Sequence, residues 1–69
     1  MKLNKLLLEI QLASQGMLIQ ELCKEARISK KTLLSALNGE SKTRPVTIGK
    51  ISKALNVDVK EIIQKDEEL

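Results

Sequence analysis

The stretch from Leu18 to Gly39, LIQELCKEARISKKTLLSALNG, constrains this chain more than any other. Apolar residues recur there at three- and four-residue spacing in two short blocks. Leu18, Leu22 and Ala26 define the inner stripe of one helix, with Cys23 beside it as a small buried apolar residue. Leu33, Ala36 and Leu37 define the inner face of the next, which runs from Lys30 to about Leu37. Between them Arg27-Ile28 makes a tight turn, with Ile28 pointing inward as an anchor. Ser29 is a good N-cap for the second block. Asn38-Gly39, the residue pair that most easily takes positive φ, ends it.

The rest of the chain reads as helices added to this pair. Leu3, Leu6, Leu7, Ile10 and Ala13 give a first helix an apolar stripe, and Gly16 is its expected left-handed cap. Glu40 to Arg44 is a polar loop. Pro45 fits the first turn of a fourth helix, where its missing N–H costs nothing. Ile48, Ile51, Ala54 and Leu55 give that helix its stripe, and Gly49 weakens it slightly. Asn56-Val57 turns. Asp58 with Glu61 three residues on opens an expected fifth helix, whose Val59, Ile62 and Ile63 face inward. Gln64 to Leu69 is an acidic tail expected to fray. The expected architecture is all-α: five short helices around one aliphatic core, a single domain over residues 1–69.

Composition narrows the chemistry. The chain has no aromatic residue, so bases cannot stack on its side chains, which argues against the usual single-stranded nucleic-acid modules. It has no histidine and one cysteine, which excludes an internal disulfide, an ordinary zinc site and a Ser-His or Cys-His nucleophile. Glu61, Asp66, Glu67 and Glu68 read as solvated charge at a helix end and tail. No enzyme activity, cofactor or metal is expected. The N-terminal MKLNKLLLEI starts basic and apolar, but Glu9 interrupts it, so no secretory or membrane segment is expected. A lone thiol fits the cytoplasm. The net charge is only +3, but the segment from Lys24 to Arg44 carries six basic residues and two acidic ones. That excess coincides with the two-helix unit, about residues 18–38, and its following loop. A short helix, a tight turn and a second helix carrying Lys30 and Lys31 in its first turn make a helix-turn-helix layout, which presents its second helix to double-stranded DNA.

Four pieces in order make the chain resemble the phage repressor and Cro type of helix-turn-helix domain. They are Gly16 before helix two; Ile28-Ser29 followed by Thr32-Leu33; Asn38-Gly39; and Lys50-Ile51-Ser52-Lys53-Ala54-Leu55-Asn56-Val57. The resemblance runs from about Leu6 to Ile63. It implies that Lys30, Lys31 and Ser35 reach base edges in the major groove. It also implies that Ser29, Thr32 and the loop from Asn38, with Lys42, Thr43 and Arg44, meet phosphates. The chemistry agrees: lysine can donate to guanine O6 and N7 or to a phosphate, and a helix N-terminus with a serine hydroxyl is an anion site. Contact of Lys30 and Lys31 with phosphate alone is the plainer alternative. Leu34 on the outer face sits against a thymine methyl or is a scattered surface leucine.

The chain also departs from that pattern. Leu18 and Ile19 stand where the family often has Ser-Gln, so a phosphate grip is lost unless Gln20 supplies it. Arg27 stands at a turn position usually held by glycine. Leu12 and Leu37 stand where an interior Arg–Glu pair is common, which points to an apolar contact in place of two desolvated charges. Two functions follow. One is a sequence-specific regulator, a repressor, acting as a homodimer on a pseudo-palindromic site, with the loop after Gly39 and helices four and five as candidate dimer surfaces. The other is an antitoxin or adaptor that binds a protein partner through apolar surface residues, for which Leu8, Ile19 and Leu34 are the candidates.

Overall fold

The computed structural model describes residues 2–38 and 43–63. It contains four α-helices: α1 (Lys5–Gln15), α2 (Ile19–Ala26), α3 (Lys30–Asn38) and α4 (Pro45–Leu55). The expected fifth helix is a single 3₁₀ turn, Val59–Glu61. Asp58 does open it, its Oδ1 accepting from the Lys60 N–H at 3.0 Å. The reason it stops lies at the other end of the chain. The Asn4 N–H donates to the Ile62 carbonyl at 2.8 Å, and Leu3 forms an isolated antiparallel bridge with Ile63. Both need the chain to leave the helical path at Ile62, whose φ is −129° and ψ 0°. Ile62 is thereby driven wholly into the core, with Leu3 beside it. No strand forms among the described residues.

Three helices end in the same way. Gly16, Arg27 and Asn56 take left-handed backbone with φ of 62°, 59° and 58°. The next amide in each case reaches back to a carbonyl in the last turn: Met17 to Leu12, Ile28 to Cys23 and Val57 to Ser52, at 2.9–3.1 Å. The residue after each cap is apolar, and Met17, Ile28 and Val57 all pack against the core. Two sequence expectations are met here, Gly16 as cap and Ile28 as anchor. Arg27, by contrast, holds a conformation that costs a β-carbon-bearing residue about 1 kcal/mol. Arg27→Gly is expected to raise stability by a few tenths to about 1 kcal/mol, the gain reduced by the freer unfolded chain. Thermal melts by far-ultraviolet circular dichroism would read it; a lower melting temperature would show that the arginine side chain stabilises more than its backbone costs.

The first helix corrects the sequence reading. Leu6, Ile10 and Ala13 were expected inside but are exposed, while Leu8, expected as a surface candidate, is fully buried with Leu12. The helix carries two apolar stripes of equal spacing, and periodicity alone cannot choose between them. Caps and tertiary bonds set the phase. Asn4 Oδ1 accepts from the Leu7 N–H at 2.9 Å, and Gln15 Nε2 donates to the Leu55 carbonyl at 2.6 Å. Leu18, also expected inside, is instead the exposed N-cap residue of α2. A leucine has no side-chain acceptor for the helix amides, so only its own N–H is met, by Glu21 Oε1 at 2.8 Å. Ile19 is half-buried against the core rather than exposed.

The centre of the fold is α4, which packs on α1, α2 and the 3₁₀ turn, while α2 also holds α3. Leu22, Leu33, Ile48, Ile51 and Leu55 meet there with almost no exposure. Cys23 is buried as expected. Leu12 is buried and Leu37 packs half-buried on the same core, consistent with apolar contact where the resemblance implied an ion pair. Ser52, a buried polar residue, meets its hydrogen-bonding need within α4 by donating to the Gly49 carbonyl at 2.9 Å.

Candidate nucleic-acid interface

The helix α3 is positioned by a cap and a core face. Ser29 Oγ accepts from the Thr32 N–H at 3.0 Å and donates to Thr32 Oγ1 at 2.8 Å. The Ser29 carbonyl accepts from the Leu33 N–H at 3.1 Å. The amides of Lys30 and Lys31 precede any intrahelical acceptor, so the positive end of the helix dipole opens outward between them. Leu33 and Ala36 are buried, and α3 packs on α2. That pins the opposite face to solvent. Lys31, Leu34, Ser35 and Asn38, at spacings of three and four, form one outward strip, with Lys30 and Thr32 on its flanks. All of these are exposed except Ser35, which is half-buried.

Beside the strip runs an open groove of about 310 Å³ between α3 and the start of α4. Lys31, Thr32, Ser35 and Ala36 form one wall; Thr43, Arg44 and Thr47 form the other. Arg44 is the N-cap residue of α4, and its carbonyl accepts from the amides of Thr47 and Ile48 at 3.0 and 3.2 Å. Pro45 stands in the first turn, as expected. A basic side chain, threonine hydroxyls and a helix N-terminus therefore face the flank of α3 across a space open to a ligand. Thr47 is a groove residue that the sequence reading missed. Its signal was available: one helical turn beyond Thr43 and Arg44 it must share their side. Lys42 lies outside the described residues, as do Gly39 and the acidic tail after Ile63.

A second open groove, about 560 Å³, lies between the end of α2 and the outer side of α4, lined by Glu25, Ala26, Arg27, Lys50, Lys53 and Ala54. Its three cations extend the positive surface beyond α3. Lys50 and Lys53 were not singled out in the sequence because they sit in the apolar rhythm of α4 without a local cluster. Among the described residues no three His, Cys, Asp or Glu side chains are grouped to hold a metal ion, and no helix is long and apolar enough to cross a membrane.

A family model described as helix-turn-helix matches residues 8–62. The chain belongs to the helix-turn-helix family. It is a DNA-binding domain of the kind found in transcription regulators, with α2 and α3 as the helix-turn-helix pair. No curated protein and no solved structure matches it. Within the helix-turn-helix the pieces that carried the resemblance fall at structural joints. Gly16 ends α1, Ser29 and Thr32 open α3, Asn38 closes it, and Lys50 to Val57 covers the second half of α4 and its cap. At the start of α2 the exposed Gln20 is the one side chain with an amide to offer a phosphate, because Leu18 and Ile19 have none.

Proposed function

We propose that this helix-turn-helix domain is a sequence-specific transcriptional regulator of the phage repressor and Cro type, acting as a repressor and as a homodimer on a pseudo-palindromic operator. The observation that carries the reading is the outward strip of α3, polar and cationic, rigidly backed by Leu33 and Ala36. In this reading the strip enters the major groove. Lys30, Lys31 and Ser35 reach base edges, and Leu34 lies against a thymine methyl. Ser29, Thr32 and Asn38 meet phosphates at the ends of α3, and Thr43 and Arg44 meet them across the groove. In this reading repression follows from occlusion of a promoter. The protein works in the cytoplasm and catalyses nothing.

The exposed Leu6, Ile10, Leu18 and Val46 favour a second reading, an antitoxin or adaptor that holds a protein partner. Selection from random duplex DNA at low and at moderate salt separates the two. The expected result is an enriched inverted repeat with half-sites about one helical turn apart, retained at moderate salt. Labelled DNA must supply the signal, because the chain has no Trp or Tyr. Binding that is uniform across sequences and collapses with salt would overturn the regulator reading, since counterion release alone produces it.

A further inference from the structure

We propose that the outer stripe of α1 is a self-association surface, and that its occupant is a second copy of this chain packed helix against helix in the antiparallel sense. The inference deepens the homodimer reading above by assigning its contact surface.

The stripe is Leu6, Ile10 and Ala13, with the half-buried Leu7 at its edge. Leu6 is 65% exposed and Ile10 48%, one helical turn apart on the same face. The other exposed large apolar residues, Leu18, Leu34 and Val46, lie on three separate elements. On α1 the two inner leucines already supply the core contact. The outer pair still leaves about half or more of its apolar surface in water.

Of the surfaces named from the sequence for a dimer, the loop after Gly39 lies outside the described residues, and the other two fare worse. The exposed residues of α4 include Lys50 and Lys53. A two-fold axis placed there would bring like charges face to face, which is destabilising. Beyond the 3₁₀ turn, Ile62 is spent inside the core. The stripe on α1 has the opposite character. Lys5 and Glu9 are exposed and lie one turn apart along a single edge of it. With two α1 helices antiparallel about a two-fold axis, Leu6 meets Ile10 of the second copy, twice. The same operation brings Lys5 toward Glu9 of the second copy, also twice. A parallel pairing about a two-fold axis would instead carry this edge to the opposite side of the seam on the second copy, so that neither Lys5 nor Glu9 would meet a charged partner. The charges therefore select the antiparallel form, as flanking charges do in helix pairs. Ala13 has too little bulk to hold the helices apart. Finally, α1 rests chiefly on α4 and not on α3, so the outward strip of α3 stays free in such a dimer.

A helix of 11 residues is about 16 Å long. The contact is thus smaller than the ~800 Å² per partner of a standard interface, and the dimer is a weak, reversible one. Sedimentation velocity with interference optics, over about 1–500 µM protein, fits that range. The unmodified chain is expected to show a concentration-dependent monomer–dimer equilibrium. Leu6→Lys with Ile10→Lys is expected to raise the dissociation constant at least about tenfold. Lys5→Glu and Glu9→Lys are each expected to weaken the dimer, and the two together to restore it, a rescue that loss of folding cannot imitate. All four positions are exposed, and far-ultraviolet circular dichroism checks that the helices persist. A chain that stays monomeric throughout, a dimer unaffected by the double lysine variant, or a double charge swap weaker than both single ones would overturn the proposal. The two readings also fail separately. Dissociation by the lysine variant without any enriched operator would leave this surface standing and remove the regulator. An enriched inverted repeat bound equally by the lysine variant would do the reverse.

Discussion

Leu22→Ala is expected to cost the domain about 2–5 kcal/mol, the usual range for emptying a buried leucine site that cannot collapse. Leu22 is fully buried on α2, the helix that packs on both α3 and α4. Its loss leaves a void where three elements meet, and the aliphatic neighbours are locked by their own helices. A chain of 69 residues has a total stability of roughly 3.5–10 kcal/mol. One methyl-rich side chain therefore carries from about a fifth to the whole of the margin. In a domain this small each kcal/mol moves the melting temperature by about 4–8 °C, so a fall of roughly 10–30 °C is expected. Leu34→Ala is the internal control. The same chemical change at a 40%-exposed site on α3 removes little buried area. Its melting temperature should move by less than about 4 °C, the equivalent of 1 kcal/mol or less. Both are read by far-ultraviolet circular dichroism. Equal effects at the two sites would contradict the assignment of inner and outer faces.

That contrast also explains how much of the fold was legible in the sequence. The helix-turn-helix was readable because its signals are local and redundant. Ser29 can cap only a helix that starts after it, and Leu33 and Ala36 can be buried only if Lys31 and Asn38 are not. The outward strip of α3 follows from the same arithmetic: Lys30, Lys31, Thr32, Leu34 and Asn38 are exposed and Ser35 is half-buried. The phase of α1 was not readable. The stripe of Leu6, Ile10 and Ala13 and that of Leu8 and Leu12 are equally apolar. The choice between them rests on Asn4, Gln15 and the carbonyl of Leu55, forty residues away from Gln15. The fifth helix failed for a related reason. Asp58 does begin a turn, but the pairing of Asn4 with Ile62 joins the two ends of the chain and stops it after Glu61. Leu18 shows the limit of periodicity most plainly, because spacing places it on the inner stripe whereas it stands one residue before the helix begins. Lys50 and Lys53 became site residues only once α4 was laid against α2.

Lys31→Ala and Arg44→Ala are expected to weaken DNA binding in two distinguishable ways. Lys31 stands exposed on the outward strip of α3, in the first turn, and is proposed to enter the major groove. Arg44 stands off the helix, across the 310 Å³ groove, where the flank of a duplex would carry its phosphates. A lysine that donates to guanine O6 and N7 contributes about 1–3 kcal/mol of discrimination. Its removal should lower affinity for the selected operator by about 5–150-fold while relaxing the preference at one position in each half-site. In the proposed complex Arg44 neutralises a phosphate and reads no base. Its removal should weaken all sequences alike and reduce the slope of log affinity against log salt by about 0.9 for each copy bound. Leu34→Ala adds a third pattern: if the side chain lies against a thymine methyl, discrimination falls at that base pair with the salt slope unchanged. Fluorescence anisotropy on labelled operator and scrambled duplex, at four salt concentrations or more, reads all of these. The result that would sink the base-reading role of Lys31 is a uniform loss across sequences with a shallower salt slope. Lys31 would then be a phosphate contact like Arg44, and specificity would have to come from Ser35, Leu34 and the deformability of the DNA between half-sites.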